Sequence, residues 1–105
     1  MSRNPDRCPT HPGELLREDV IPATGKSKAE IARMLGVSRQ HLHDLLAERK
    51  PVSREVAVRL AKLFGNAPLV WSRMQWAYDA WHATREVDVS AVPTPSAAPD
   101  NSATA

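Results

Sequence analysis

The stretch Ser38-Arg39-Gln40-His41-Leu42-His43 sets side chains with planar hydrogen-bonding edges directly after a helix-capping hydroxyl. A guanidinium at Arg39 offers two parallel donors that match O6 and N7 of guanine, and the Gln40 amide offers the donor–acceptor pair that matches adenine. His43, one helical turn on, can contact a base or a phosphate. Lys26, Lys28 and Lys50 bracket this stretch, and Ser27 and Ser38 add hydroxyls beside the free N–H groups of two helix N-termini, a combination suited to phosphate oxygens. Asp44 works against this positive field, or accepts a hydrogen bond from cytosine. Basic side chains on helix faces are commonly no more than solvated, so their distribution has to be weighed with the spacing of the elements beneath them.

Other chemistries have little support. Cys8, His11, His41, His43 and His82 give no Cys-x-x-Cys or His-x-x-x-His pair, and His41 and His43 diverge on a helix, so no metal and no cofactor is expected. A lone Cys8 with no nucleophile elbow and no paired buried carboxylates argues against an enzyme. One cysteine also cannot form an internal disulfide, which fits a reducing, cytoplasmic compartment. No apolar run approaches the roughly 18 residues of a membrane span, and Met1-Ser-Arg-Asn-Pro-Asp-Arg lacks the apolar core of a signal peptide.

The elements that must position Arg39 and Gln40 are helical. Pro12 to about Val20 reads as a first helix ended by Pro22 and Gly25. Ser27 and Glu30 form a capping box opening a second helix that stops at Gly36. Ser38 caps a third, with Leu42, Leu45 and Leu46 on its core stripe and Gln40, His43, Asp44 and Ala47 pointing away. Ser53 caps a fourth, carrying Val56, Ala57, Leu60, Leu63 and Phe64. Pro68 starts a fifth, with Trp71, Met74, Tyr78 and Trp81 as its inner stripe. β-type alternation is missing, and with 105 residues there is room for one domain, so the expected fold is all-α with five helices. Residues 1–10 are expected to be a flexible N-terminal segment and 11–83 the folded domain. Residues 84–105 lack Leu, Ile and aromatic side chains and should form a disordered tail.

Spacing at the join of the second and third helices is the most specific signal. Ala32, Gly36, Leu42 and Leu45 provide a small contact residue, a turn residue free to adopt positive φ, and two aliphatics that hold the next helix, with Ile31, Leu35 and Val37 beside them. That is the pattern of a DNA-binding helix-turn-helix, whose second helix enters a major groove of double-stranded DNA. The net charge of +2 conceals the matching field: residues 26–62 hold nine Lys+Arg against four Asp+Glu, or +5, whereas 84–105 hold one Arg against three acids, or −2. A local cationic footprint is what counterion release on DNA requires.

The quoted blocks then carry a family resemblance. His11-Pro-Gly-Glu-Leu-Leu-Arg-Glu, Ile31-Ala-Arg-Met-Leu-Gly-Val-Ser-Arg-Gln, Leu45 through Gly65 and the Trp71…Met74-Gln75…Tyr78-Asp79-Ala80-Trp81 signature together resemble the HigA-type antitoxins of the phage repressor/Cro-like (XRE) helix-turn-helix family. The resemblance implies a phage repressor-like fold and a bacterial homodimer that represses its own operon at a palindromic operator, associated with the nucleoid through that operator. It also implies neutralisation of a HigB/RelE-like ribonuclease toxin. Residue by residue it supports Ser38, Arg39, Gln40 and Lys50 as DNA-facing. A stand-alone repressor without a toxin and an interaction module that does not bind DNA are the competing readings. His41 and His43 depart from the small or polar residues common at these positions, so the base preference does not carry over.

Trp76 is also unusual for the family. At about 100° per residue it lies half a turn from the Trp71 stripe, on a face with Ala80 and Ala83 and close to Arg73. Large exposed aromatics mark interaction sites, so Arg73, Trp76, Ala80 and Ala83 are a candidate dimer or toxin interface. Burial through a helix bend and plain exposure are the alternatives.

Overall fold

The computed structural model describes residues 7–95, so the expectations for residues 1–6 and 96–105 lie outside the described residues. Helix α1 comprises Pro12–Leu15, a π-type turn over Leu16–Val20, and Ile21–Thr24. It is followed by α2 (Lys28–Leu35), α3 (Arg39–Leu46), α4 (Arg54–Phe64) and α5 (Pro68–Glu86). Five helices and no strand among the described residues make this the expected all-α fold. No helix among them is long and apolar enough to cross a membrane.

Local chemistry accounts for most helix ends. The capping box at α2 is formed in both directions: Glu30 N–H donates to Ser27 Oγ at 3.1 Å, and Ser27 N–H donates to Glu30 Oε1 at 3.2 Å. Ser38 Oγ accepts from His41 N–H at 2.9 Å, and Ser53 Oγ from Val56 N–H at 3.2 Å. The start of α1 uses a cap that was not anticipated, with His11 Nδ1 accepting from Gly13 N–H at 2.9 Å.

Two boundaries differ from expectation. Helix α1 does not stop at Val20 but continues past Pro22 to Thr24. The π turn explains why: Ile21 N–H reaches back to Leu16 O, and the widened turn accommodates a proline ring that would otherwise collide with the carbonyl four residues earlier. Helix α5 likewise runs to Glu86, past the expected end of the folded region at residue 83.

Leu16, Ile31, Leu42, Leu45, Leu60 and Trp71 are essentially fully buried, so every helix contributes to one core. Each such side chain stabilises the fold by about 1.5–3 kcal/mol through removal of apolar surface from water. The inner face of α5 differs in part from the expected stripe. Trp71 is buried, but Met74, Tyr78 and Trp81 are only half-buried, and the second fully inward residue is Gln75. Its polarity has a cause: Gln75 Oε1 accepts from the Val52 N–H at 2.8 Å, supplying the bond this buried loop amide would otherwise lack.

Two guanidiniums close helix ends across the core. Arg17 donates to Leu46 O at 2.7 Å and to Glu48 Oε2 at 3.3 Å, tying α1 to the end of α3. Arg59 donates to Leu35 O at 2.8 Å, tying α4 to the end of α2. Cations are favoured at carbonyl ends left without intrahelical donors. Gly13 permits a further approach: a Cβ there would overlap the backbone carbonyl oxygen of Leu45, so α1 lies directly on α3.

Candidate nucleic-acid interface

Helices α2 and α3 are joined through Gly36, whose φ of 75° lies in the left-handed region, and Val37 N–H bonds back to Ala32 O at 3.1 Å to fix the turn. Ile31, Ala32, Leu35, Leu42 and Leu45 are buried beneath it, as the spacing predicts. Core packing on that face turns the opposite face of α3 outward. Ser38, Arg39, Gln40 and His43 are all exposed on it.

The start of α2 adjoins the same surface. Lys28, Ala29, Arg39, Gln40 and His43 line one shallow groove, bringing a cation from α2 beside the planar side chains of α3. Lys26 and Ser27 are exposed just before α2, and Lys50 is exposed beyond the end of α3. The turn leading to Lys50 is held by Asp44 O, which accepts from Arg49 N–H at 2.8 Å and Lys50 N–H at 3.3 Å, with Glu48 in the left-handed region at φ 63°. The segment after it is anchored by the Gln75–Val52 bond. The first turns of α2 and α3 thus meet in one groove that carries Lys28 and Arg39, an arrangement suited to phosphates flanking base edges.

Asp44 faces Gln40 rather than open solvent. Gln40 Nε2 donates to Asp44 Oδ1 at 3.0 Å, and Arg49 Nη1 lies 3.6 Å from the same oxygen. His41 departs in a different way, being half-buried with its Nε2 enclosed, so of the two added histidines only His43 is presented outward. Hydrogen bonding from the Ser27 backbone holds the Glu30 carboxyl below its usual range, which keeps it an acceptor at the α2 cap.

The candidate contact face of α5 is also in view. Trp76 is 74% exposed, Arg73 and Ala83 are exposed and Ala80 is half-buried. Leu69, itself 53% exposed, extends the row to Leu69, Arg73, Trp76, Ala80 and Ala83, at alternating steps of four and three along one side of the helix. Pro9 and Thr10 of the N-terminal segment form a groove with Leu69, Arg73 and Trp76.

Sequence reasoning missed His11, Gln75 and the setting of Cys8. His11 is buried and packs edge-on against Tyr78 with ring centroids 4.7 Å apart; burial lowers its pKa, partly opposed by Glu48 and Asp79. Cys8 Sγ lies 3.5 Å from His82 Nε2, and His82 Nδ1 lies 3.0 Å from Glu86 Oε2. The distance along the chain from Cys8 to His82 and from His11 to Tyr78 left no local signal for either contact. Gln75 did leave one, as a polar residue four positions after Trp71 on an apolar face. Among the described residues no group of three His, Cys, Asp or Glu side chains is placed to hold a metal ion.

Residues 16–71 match the model of the helix-turn-helix family. Virulence-associated protein I of Dichelobacter nodosus is 36% identical over 66% of this chain, which spans 64% of that protein's length. Antitoxin GraA in complex with its operator superposes with a TM-score of 0.78 at 33% identity, covering 93% of this chain and 100% of that one. Pseudomonas aeruginosa antitoxin HigA with the higBA promoter gives a TM-score of 0.72 at 30% identity, covering 84% and 98%.

Proposed function

We propose that this chain, which belongs to the helix-turn-helix family and so to DNA-binding regulators rather than enzymes, is the antitoxin of a toxin–antitoxin pair and represses its own operon. Residues 11–83 carry both DNA binding and dimerisation. The observation that bears most weight is the outward row Ser38, Arg39, Gln40 and His43 on α3, flanked by Lys28 at the adjoining helix start. Arg39 and Gln40 read base edges and His43 contacts a base or phosphate. Lys26, Ser27, Lys28, Ser38 and Lys50 hold the backbone. Likeness to an antitoxin bound at its operator and to HigA with its promoter supports the same use of this surface.

A palindromic operator calls for two copies of α3 about 34 Å apart, one per half-site. We assign the pairing to α5, where Leu69, Arg73, Trp76, Ala80 and Ala83 form an unpartnered seam with coiled-coil spacing. The partner neutralised is a HigB/RelE-like toxin, a reading supported by the antitoxin relatives. Co-expression with the adjoining reading frame, co-purification, and a mobility-shift assay on the upstream DNA test these points together. A stable heteromeric complex that shifts that DNA is expected, and Arg39→Ala with Gln40→Ala should abolish the specific shift. DNA binding without a co-purifying partner would identify a stand-alone repressor. Unaltered affinity and salt dependence in the double variant would reject the role of α3.

A further inference from the structure

We infer that Asp44 is a specificity-determining positioning residue: it fixes which way the Gln40 amide faces and thereby makes Gln40 a reader of adenine. This inference rests on the proposed use of α3 in the major groove. The two residues are one helical turn apart, and Gln40 Nε2 donates to Asp44 Oδ1 at 3.0 Å. A carboxylate only accepts hydrogen bonds, so it selects the NH2 end of the amide and rejects the carbonyl end.

Stoichiometry then decides what is left for DNA. The amide nitrogen has two N–H groups, of which Asp44 takes one. The second N–H and Oε1 remain, and this donor–acceptor pair is complementary to N7 and the N6 amino group of adenine. Guanine presents two acceptors at the corresponding positions, so one of them would face Oε1. An amide could serve both only by presenting its NH2 end-on, one N–H to O6 and one to N7, and Asp44 already holds one of those two N–H groups.

The carboxylate is itself held. Arg49 Nη1 lies 3.6 Å from Asp44 Oδ1, and the Asp44 side chain is only 18% exposed, against 67% for that of Arg49. The negative charge that looked misplaced on a DNA-facing helix is therefore recessed, hydrogen-bonded and near a cation. It acts on Gln40 and does not project toward a phosphate.

The test is selection of bound sequences from a randomised duplex library by the full-length chain, followed by titration of the best duplex and its single-base variants. Gln40→Ala should flatten the preference at one base pair of each half-site. Asp44→Ala should reduce discrimination at that same pair by about threefold or more, a fraction of what a bidentate contact supplies, and leave other positions unchanged. The double variant should be no flatter there than Gln40→Ala alone. Asp44→Asn, which keeps an oxygen acceptor but removes the charge, should retain most of the preference. A uniform rise in affinity for all duplexes in Asp44→Ala, with preference intact, would overturn the inference, because removal of a repelling charge would then explain the variant. Failure of the unmodified chain to select any sequence would instead refute the proposed use of α3, and thermal melting of each variant separates both outcomes from loss of the fold.

Discussion

Replacing Gly13 with alanine sets local propensity against tertiary packing. Glycine near the start of a helix is a poor helix former, so Gly13→Ala taken alone should stabilise α1 by up to about 1 kcal/mol. In the folded molecule the new methyl group would overlap the Leu45 carbonyl oxygen, and it would lie 3.1 Å from His11 Nδ1, the atom that caps the helix. The Leu45 carbonyl belongs to the backbone of α3 and cannot swing aside as a side chain can. Relief requires α1 to move off α3, disturbing the Arg17–Leu46 bond and the packing of Leu16. Overpacking of this kind costs about 1–3 kcal/mol, and the capping bond is worth about 1 kcal/mol more. The net expectation is destabilisation by about 1–3 kcal/mol, or a drop in Tm of about 4–8 °C for each kcal/mol in a domain of this size. Urea unfolding followed by circular dichroism reads this directly, with Gly25→Ala as a comparison in which open space leaves only the backbone cost of a Cβ at φ 70°. A Gly13→Ala variant as stable as the parent, or more so, would refute the close contact between α1 and α3.

Gln75→Leu should lower stability by about 1–3 kcal/mol despite its similar size, because the buried Val52 N–H loses its acceptor; an unchanged urea midpoint would reject that role. His11 has a pKa lowered by burial from its ordinary 6.5, so the unfolded chain takes up the proton more readily and stability falls as pH decreases through about 6.5. His11→Asn keeps a capping oxygen and should flatten that fall; an identical pH dependence of the unfolding midpoint would exclude His11 as its source. Trp76→Glu should leave the monomer folded, since Trp76 is 74% exposed, yet shift the mass measured by light scattering from dimer to monomer and lower Tm only by the concentration-dependent part that association contributes. A dimer in that variant would remove the α5 seam from the proposal.

What was legible in the sequence is what local physics controls. Ser27 with Glu30, Ser38 and Ser53 announce helix starts because a cap acts within three residues, and Ile31, Ala32, Leu35, Leu42 and Leu45 reveal a buried face because helical periodicity spaces them. From those two signals the helix-turn-helix follows, together with the outward placement of Arg39, Gln40 and His43. The continuation of α1 past Pro22 was not legible, because a π turn is a response to crowding that no residue type encodes. The inner face of α5 was legible only in part: Gln75 stands four positions after Trp71 on that face, but the need for an amide acceptor there arises from the Val52 loop in another part of the chain.

Sequence alone therefore determined the helices, their core faces and which side chains α3 turns outward, since each depends on residues within a few turns of one another. The tertiary structure decided how close α1 comes to α3 at Gly13, which guanidinium closes which helix end, and that His11 is buried against Tyr78. It also decided that Asp44 lies recessed beside Gln40 and Arg49. These contacts depend on distances between groups separated along the chain, or on rotamers chosen among competing partners, and both are fixed only when the helices pack together.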